Sequence, residues 1–238
     1  MIRHTPIALS ALLALAFFAP VASATTFDNK PKLLLHVRAT TTKSPCTTAG
    51  FLSNCQTATT AGTLVTSVSG PFYFVYLLAA RGSLTDLAGL QCGISYQGNQ
   101  PANISDGIGI DVFGWSLCAT LEFVTTGPNA WPRPGGGNLI TWDASSRCQS
   151  GDSGVAGYFY VGAYSTDQMS VTRRPVDNKA AVVRCNATEP PALGISDLGT
   201  ATFNNSGTGG CNPCLINCSA PVGVENTTWS VVKTLIRP

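Results

Sequence analysis

The sequence predicts an all-β fold: an antiparallel β-sandwich, of jelly-roll or related form, with a Cys-rich C-terminal extension and a short terminal helix. Three observations predict it. Several segments alternate apolar and polar residues with period two, the pattern of strands with one buried face. Clusters of Gly, Pro, Asn and Ser break the chain between them. Finally, 24 Gly and 15 Pro accompany only 11% charged residues. The charged faces of long amphipathic helices are therefore missing, while the Thr-rich polar complement suits strands.

Taken in order, residues 32–39 put Leu33, Leu35 and Val37 on one face and Leu34, His36 and Arg38 on the other. Residues 72–80 are more continuously apolar, as a central strand can be. Residues 90–96 alternate Leu90, Cys92, Ile94 and Tyr96 with Gln91, Gly93 and Ser95. The clearest alternation, over 115–123, sets Trp115, Leu117, Ala119, Leu121 and Phe123 against Ser116, Cys118, Thr120 and Glu122. Residues 155–164 again read as a central strand. Shorter candidates are 64–69, 108–113, 139–142, 169–172 and 180–185. Turn chemistry separates them at 69–71, 81–83, 98–101, 132–137 and 174–175.

The N-terminus has the order of a secretory signal peptide: Arg3, an apolar run over 7–18, then Ala22-Ser23-Ala24 as a small-x-small cleavage site. The run is shorter than the roughly 20 residues that span a bilayer. The expected organisation is a signal peptide over 1–24, a sandwich over 25–187 and a Gly/Asn-rich, Cys-containing extension over 188–238. Thr228 can cap a terminal helix with Trp229, Val232 and Leu235 or Ile236 on one side. The expected localisation is secreted or cell surface. A net charge of +2 offers no electrostatic footprint for nucleic acid, and no later segment is apolar enough to cross a membrane as a helix.

The chain has nine cysteines, all beyond the signal peptide, so disulfides are the default reading. Cys46 and Cys55 invite a local bridge. Cys92, Cys118, Cys148 and Cys185 allow three pairings; sequence order favours Cys92–Cys118, although the two lie on opposite faces of their strands. Cys211, Cys214 and Cys218 sit in CNPCLINC. A zinc site needs four ligands, and no histidine lies near, so disulfide bonding is preferred to metal or redox chemistry. One cysteine must remain over, and the tail triplet is its expected place.

Catalytic signals are sparse. CQSGDSG over 148–154 resembles the nucleophile loop of chymotrypsin-like serine proteases. The likeness stops at GDSG, since Val155 and Ala156 replace the family's Gly and Pro. A Ser153 nucleophile would need a base, and His36 is the one histidine left after signal cleavage. A turn accounts for the same residues. Among carboxylates, Asp86, Asp106, Asp143, Asp152, Asp167 and Asp177 sit beside turns; Glu122 and Asp111 are the strand-borne candidates for glycoside hydrolysis. Asp106 and Asp111 lack a complete calcium pattern. Trp131, in a loop, and Trp115 are the candidate sugar-stacking residues, although Trp115, like Trp142, reads more readily as core. The Gly-rich segment at 134–138 lacks the Lys-Ser/Thr of a phosphate cradle. Sequons occur at Asn103, Asn186, Asn204, Asn217 and Asn226.

FVYLL at 74–78 and LAGLQCGISY at 87–96 resemble the opening of cohesin-like and related carbohydrate-binding-module sandwiches. That resemblance implies binding rather than catalysis. Cys92 together with DVFGW (111–115), LCATLEF (117–123), GNLITWD (137–143) and RPVDN (174–178) resembles uncharacterised secreted bacterial proteins, from which no functional residue carries over. The expected function is a binding or structural role at or outside the cell surface, without catalysis, cofactor or metal. The expected partner is a glycan or another surface protein. The alternative is a secreted hydrolase, using a carboxylate site or, less readily, Ser153.

Overall fold

The computed structural model describes residues 29–40, 45–48, 52, 54–62, 72–97, 108–203 and 209–218. The signal peptide, the candidate strand at 64–69, Asp106, the sequons at Asn103, Asn204 and Asn226, and the terminal helix lie outside them.

In chain order the strands are β1 (Lys32–Ala39), β2 (Ala61–Gly62), β3 (Tyr73–Ala80), β4 (Gly89–Ser95), β5 (Ile110–Leu117), β6 (Leu121–Val124), β7 (Gly137–Thr141), β8 (Ser153–Ala163), β9 (Asp167–Thr172), β10 (Ala181–Val183) and β11 (Thr200–Phe203). The one described α-helix is a single turn at Pro45–Thr48. The strands form two sheets. A four-stranded sheet runs β1-β3-β8-β5; a seven-stranded sheet runs β2-β11-β9-β4-β7-β6, with β10 on β4. All strand pairs are antiparallel except β2 with β11.

The core lies between the sheets and is built by alternation. Leu33, Leu35 and Val37 of β1 point inward, as do Val75, Leu77 and Ala79 of β3. They meet Leu90, Cys92 and Ile94 of β4 and Ile140 of β7. Interior positions of this kind stabilise by roughly 1.5–3 kcal/mol per large side chain.

The alternation over 115–123 does not make one strand. β5 ends at Leu117, and the chain crosses to the other sheet through residues 118–120. The N–H groups of Cys118 and Ala119 both donate to the carbonyl of Ala156, which anchors the crossing. Trp115, Leu117 and Ala119 all pack against the interior. After the crossing the phase inverts: Glu122 turns inward, while Leu121 and Phe123 are 51% and 55% exposed. A one-residue shift of this sort exchanges the two faces of a strand.

Sequence reading misses β11. Its segment is rich in Gly, Asn and Ser, yet Ala201 and Phe203 are fully buried and the strand sits between β2 and β9. Leu193 and Leu198 join the same core. The boundary expected at residue 187 thus falls inside the sandwich.

Eight cysteines pair as Cys46–Cys118, Cys55–Cys214, Cys148–Cys185 and Cys211–Cys218. The expected Cys46–Cys55 and Cys92–Cys118 bridges are not formed, and the tail triplet is fully paired. The odd thiol is Cys92, which faces the core with 0% exposure, and burial pushes its pKa up to about 12. Its partner of choice, Cys118, is instead carried outward by the sheet crossing to meet Cys46. Disulfides of this density fit an oxidising compartment. No helix among the described residues is long and apolar enough to cross a membrane.

Candidate functional site

The outer face of the four-stranded sheet is set by register. Four cross-strand rows run over β1, β3 and β8: Lys32–Ala80–Ser153, Leu34–Leu78–Val155, His36–Tyr76–Tyr158 and Arg38–Phe74–Tyr160. The first two rows are roofed. Leu34, Leu78 and Ala80 pack under Cys55 and Cys214, whose bridge ties the 54–62 segment to the C-terminal turn. Asn212 fastens the roof: its Nδ2 donates to the Cys55 carbonyl at 2.9 Å and its Oδ1 accepts from the Cys214 N–H at 3.0 Å.

The third row is the boundary. Tyr76 is fully buried and its hydroxyl donates to the Pro45 carbonyl at 2.8 Å. His36 lies over it with ring centroids 6.1 Å apart, and its Nδ1 accepts from the Thr59 N–H at 2.9 Å. Burial, helped by the charge of Arg38, holds the His36 pKa down to about 4. Thus His36 is neutral near pH 7.

Beyond that row the face is aromatic. Phe72, Phe74, Phe113, Tyr158 and Tyr160 are all half-buried and form a continuous patch. Neighbouring ring centroids, with Tyr76 included, lie 5.1–6.5 Å apart and the ring planes are inclined by 43–85°. These are the edge-to-face and tilted contacts that aromatic quadrupoles favour. Two local devices shape the patch. Phe113 follows the inward-facing Ile110 and Val112 and so points outward; the bulge in β5 between Val112 and Gly114 leaves it unpaired beside Tyr160 and returns Trp115 to the interior. Gly162 then makes room, since a Cβ there would stand 2.8 Å from the Tyr164 hydroxyl and 2.9 Å from the Phe113 ring. The sequence signal is an aromatic at alternate positions, Phe72, Phe74 and Tyr76, and again at Tyr158 and Tyr160. Both segments read as central strands, buried on both faces, so the alternation does not by itself mark a surface.

Trp131 and Trp115 do not form an exposed pair. Trp131 is 8% exposed and packs at 88° to Trp115, 5.1 Å away, and 5.4 Å from Phe159. The loop carrying it folds inward because so large an apolar ring gains more from burial than from display. Trp115 is half-buried, and its Nε1 donates to Glu122 Oε2 at 2.8 Å.

The catalytic candidates are likewise occupied in structure. Glu122 Oε2 also accepts from Asn138 Nδ2 at 2.7 Å. Asp111 is fully buried in β5. Asp167 accepts from the N–H groups of Gln97, Ile110 and Gln168. Asp143 is held down to about 2 by the Ser145 hydroxyl and neighbouring N–H groups. Asp86 is lowered by hydrogen bonds from Thr85 and the Cys185 N–H, then by Arg184. In the GDSG turn, Asp152 Oδ2 accepts from the Cys55 N–H at 2.6 Å. Ser153 and His36 are four residues apart along the strands and two strands apart, roughly 13 Å in the strand direction alone, well beyond hydrogen-bond reach. A depression of about 410 Å³ beside Ser153 is lined by Cys46, Cys118, Trp142, Arg147, Gln149 and Val155, none of them a general base. Asp86 lies beside Cys148 and Cys185, but those sulfurs are bonded to each other. CNPCLINC is likewise consumed by disulfides.

No family model and no curated protein matches the chain. Among solved structures it is similar to the sixth cohesin of Acetivibrio cellulolyticus scaffoldin B, solved in complex with a Cel5 dockerin: TM-score 0.42, 10% identity, covering 74% of this chain and 98% of that one. It is also similar to the cohesin module of a Clostridium perfringens family 33 glycoside hydrolase, with TM-score 0.36, 9% identity and coverage of 72% and 97%. A third is the cohesin of a type I cohesin–dockerin complex from Clostridium thermocellum, with TM-score 0.38, 8% identity and coverage of 71% and 93%.

Proposed function

We propose that this chain, once residues 1–24 are removed on export, is an extracellular binding module that docks another protein on the aromatic face of its four-stranded sheet. The observation that carries the reading is the patch of Phe72, Phe74, Phe113, Tyr158 and Tyr160 beyond the roofed rows. Clustered Tyr and Phe are what the centres of protein interfaces are enriched in. A glycan platform instead presents ring faces, and rings inclined to one another by 43–85° present edges as well. Charge is scarce here too: Arg38, paired with Phe74, supplies the positive charge on the β1 side.

The test places a photoreactive phenylalanine analogue at Tyr160 and crosslinks the protein to the surface and secreted proteins of its own source cells. The reading expects one dominant protein adduct, whose formation is competed by the native chain and at least tenfold less by the Phe74→Ala/Tyr160→Ala variant, since interface hot spots cost about 2 kcal/mol or more. Equal competition by the variant would overturn it. So would saturable binding on a glycan array that the same two substitutions abolish.

A further inference from the structure

We propose that Lys32 and Asp197 condense to an intramolecular isopeptide bond, a covalent cross-link between β1 and the turn that leads into β11. Lys32 opens β1 and is 2% exposed; Asp197 closes the 3₁₀ turn Ile195–Asp197 and is 3% exposed. Lys32 Nζ lies 2.5 Å from Asp197 Oδ1. Two further contacts fix the pair. The Gly194 N–H donates to Asp197 Oδ2 at 2.8 Å, which sets the plane of the carboxyl group. The Gly199 N–H donates to the Leu33 carbonyl at 2.7 Å, which holds the two backbones side by side. Above Lys32 sit Cys55, Cys214 and Asp152, around a cavity of only about 10 Å³. That is at or below the room a single water needs.

This setting favours amide over ion pair on two grounds. Removing two ions from water costs several kcal/mol each, a cost their attraction offsets only in part. A secondary amide of the same atoms carries no charge. The amine is also held against its electrophile, and positioning of that kind is equivalent to about 10⁵–10⁸ M of external reagent. Both terms are absent from the surface pairs Arg174–Asp177 and Arg184–Asp86, whose side chains are 17–38% exposed.

The step balances without oxidant or cofactor. A proton passes from the ammonium to Oδ1 along the short contact, leaving a neutral amine and a carboxylic acid. The nitrogen lone pair forms a bond to Cγ, and the developing charge on Oδ2 is received by the Gly194 N–H, a donor placed as in an oxyanion hole. A second proton moves from nitrogen to Oδ1, the Cγ–Oδ1 bond breaks and water departs. Asp152, on the wall of the same cavity, supplies a carboxylate to relay that proton.

The test is mass spectrometry of the native, unmutated chain, fully reduced and with its N-terminus mapped. It should weigh one water less than its sequence requires. Tryptic digestion should give a branched peptide joining Lys32 to Asp197, uncut after Lys32. The Asp197→Asn variant should lose one ammonia in place of one water, and Lys32→Arg should lose nothing. A native mass equal to that of the sequence, with free peptides from both positions, overturns the proposal and leaves an ion pair.

Discussion

The two halves of the outer face of the four-stranded sheet share strands, register and alternation, yet differ in what covers them. At one end, Leu34, Leu78 and Ala80 lie beneath disulfide-tied loops. At the other, Phe74, Phe113, Tyr158 and Tyr160 remain half-buried. The roofed half uses aliphatic side chains, which fill a closed space without a polar handle. The aromatic half uses rings, two of them the Tyr158 and Tyr160 phenols, whose hydroxyls tolerate water. Residue choice thus follows the cover, not the strand. One sheet face serves as part of the interior at one end and as a surface at the other.

The comparison breaks most directly at the roof. Replacing Cys55 and Cys214 together by Ser should lower the unfolding free energy by about 2–5 kcal/mol, read from the denaturant midpoint. Opening the short Cys211–Cys218 loop, separation 7 against 159, should cost less. Equal losses would mean that the roof is not held by the long bridge.

Truncation on either side of the boundary row is the next test. Leu78→Ala, at a fully buried position, should cost about 2–5 kcal/mol. Phe113→Ala, at a half-buried position, should cost less than half as much in the same chemical denaturation series, because its ring already meets solvent. The contrast fails if the two losses match.

His36 at the boundary gives a smaller, pH-dependent effect. Its folded pKa of about 4 lies below the ordinary value of 6.5, so between those values the unfolded chain binds more protons. The contribution is complete above pH 6.5 and declines as pH falls toward 4, by on the order of 2–3 kcal/mol in total. Denaturant midpoints measured across that window should show the decline, and His36→Gln should flatten it. An unchanged slope in the variant would place the titration elsewhere.

The smallest expected loss of stability comes with Gly162→Ala, whose new methyl, 2.8–2.9 Å from the Phe113 and Tyr164 side chains, makes those rings move. Unfolding should change by no more than about 1–2 kcal/mol, the scale of modest overpacking. Partner crosslinking through Tyr160 should nonetheless drop, since the patch is reshaped. Undiminished crosslinking would separate Phe113 from the docking surface.

Much of this architecture was legible in the sequence. β1, β3, β4 and β8 are long and declare themselves by period or by continuous apolar character. β11 was not legible: four residues with Thr at alternate places, inside a Gly- and Asn-rich stretch, carry too little signal, and its burial depends on β9 and β2 arriving beside it. The crossing after Leu117 was hidden because the apolar period runs through it to Ala119 while the strand does not. Disulfide partners are fixed by tertiary register, which spacing does not encode. The aromatic face was written in alternate residues of β3 and β8, but it becomes a patch only when Phe74 is seen opposite Tyr160. Trp131, the loop ring that the sequence offers for binding, is instead claimed by the interior.

The pairing of the cysteines has a consequence for biogenesis. A polypeptide is made N-terminus first, so Cys46, Cys55 and Cys92 emerge before any other thiol, and no two of them are native partners. The first correct bond awaits Cys118, and Cys55 waits until residue 214. Oxidation in order of appearance would therefore trap wrong isomers. Correct pairing needs Cys46 and Cys55 to stay reduced, or a bond between them to be exchanged, until Cys118 and Cys214 arrive, while enclosure of Cys92 by β4 withdraws the one sulfur without a mate.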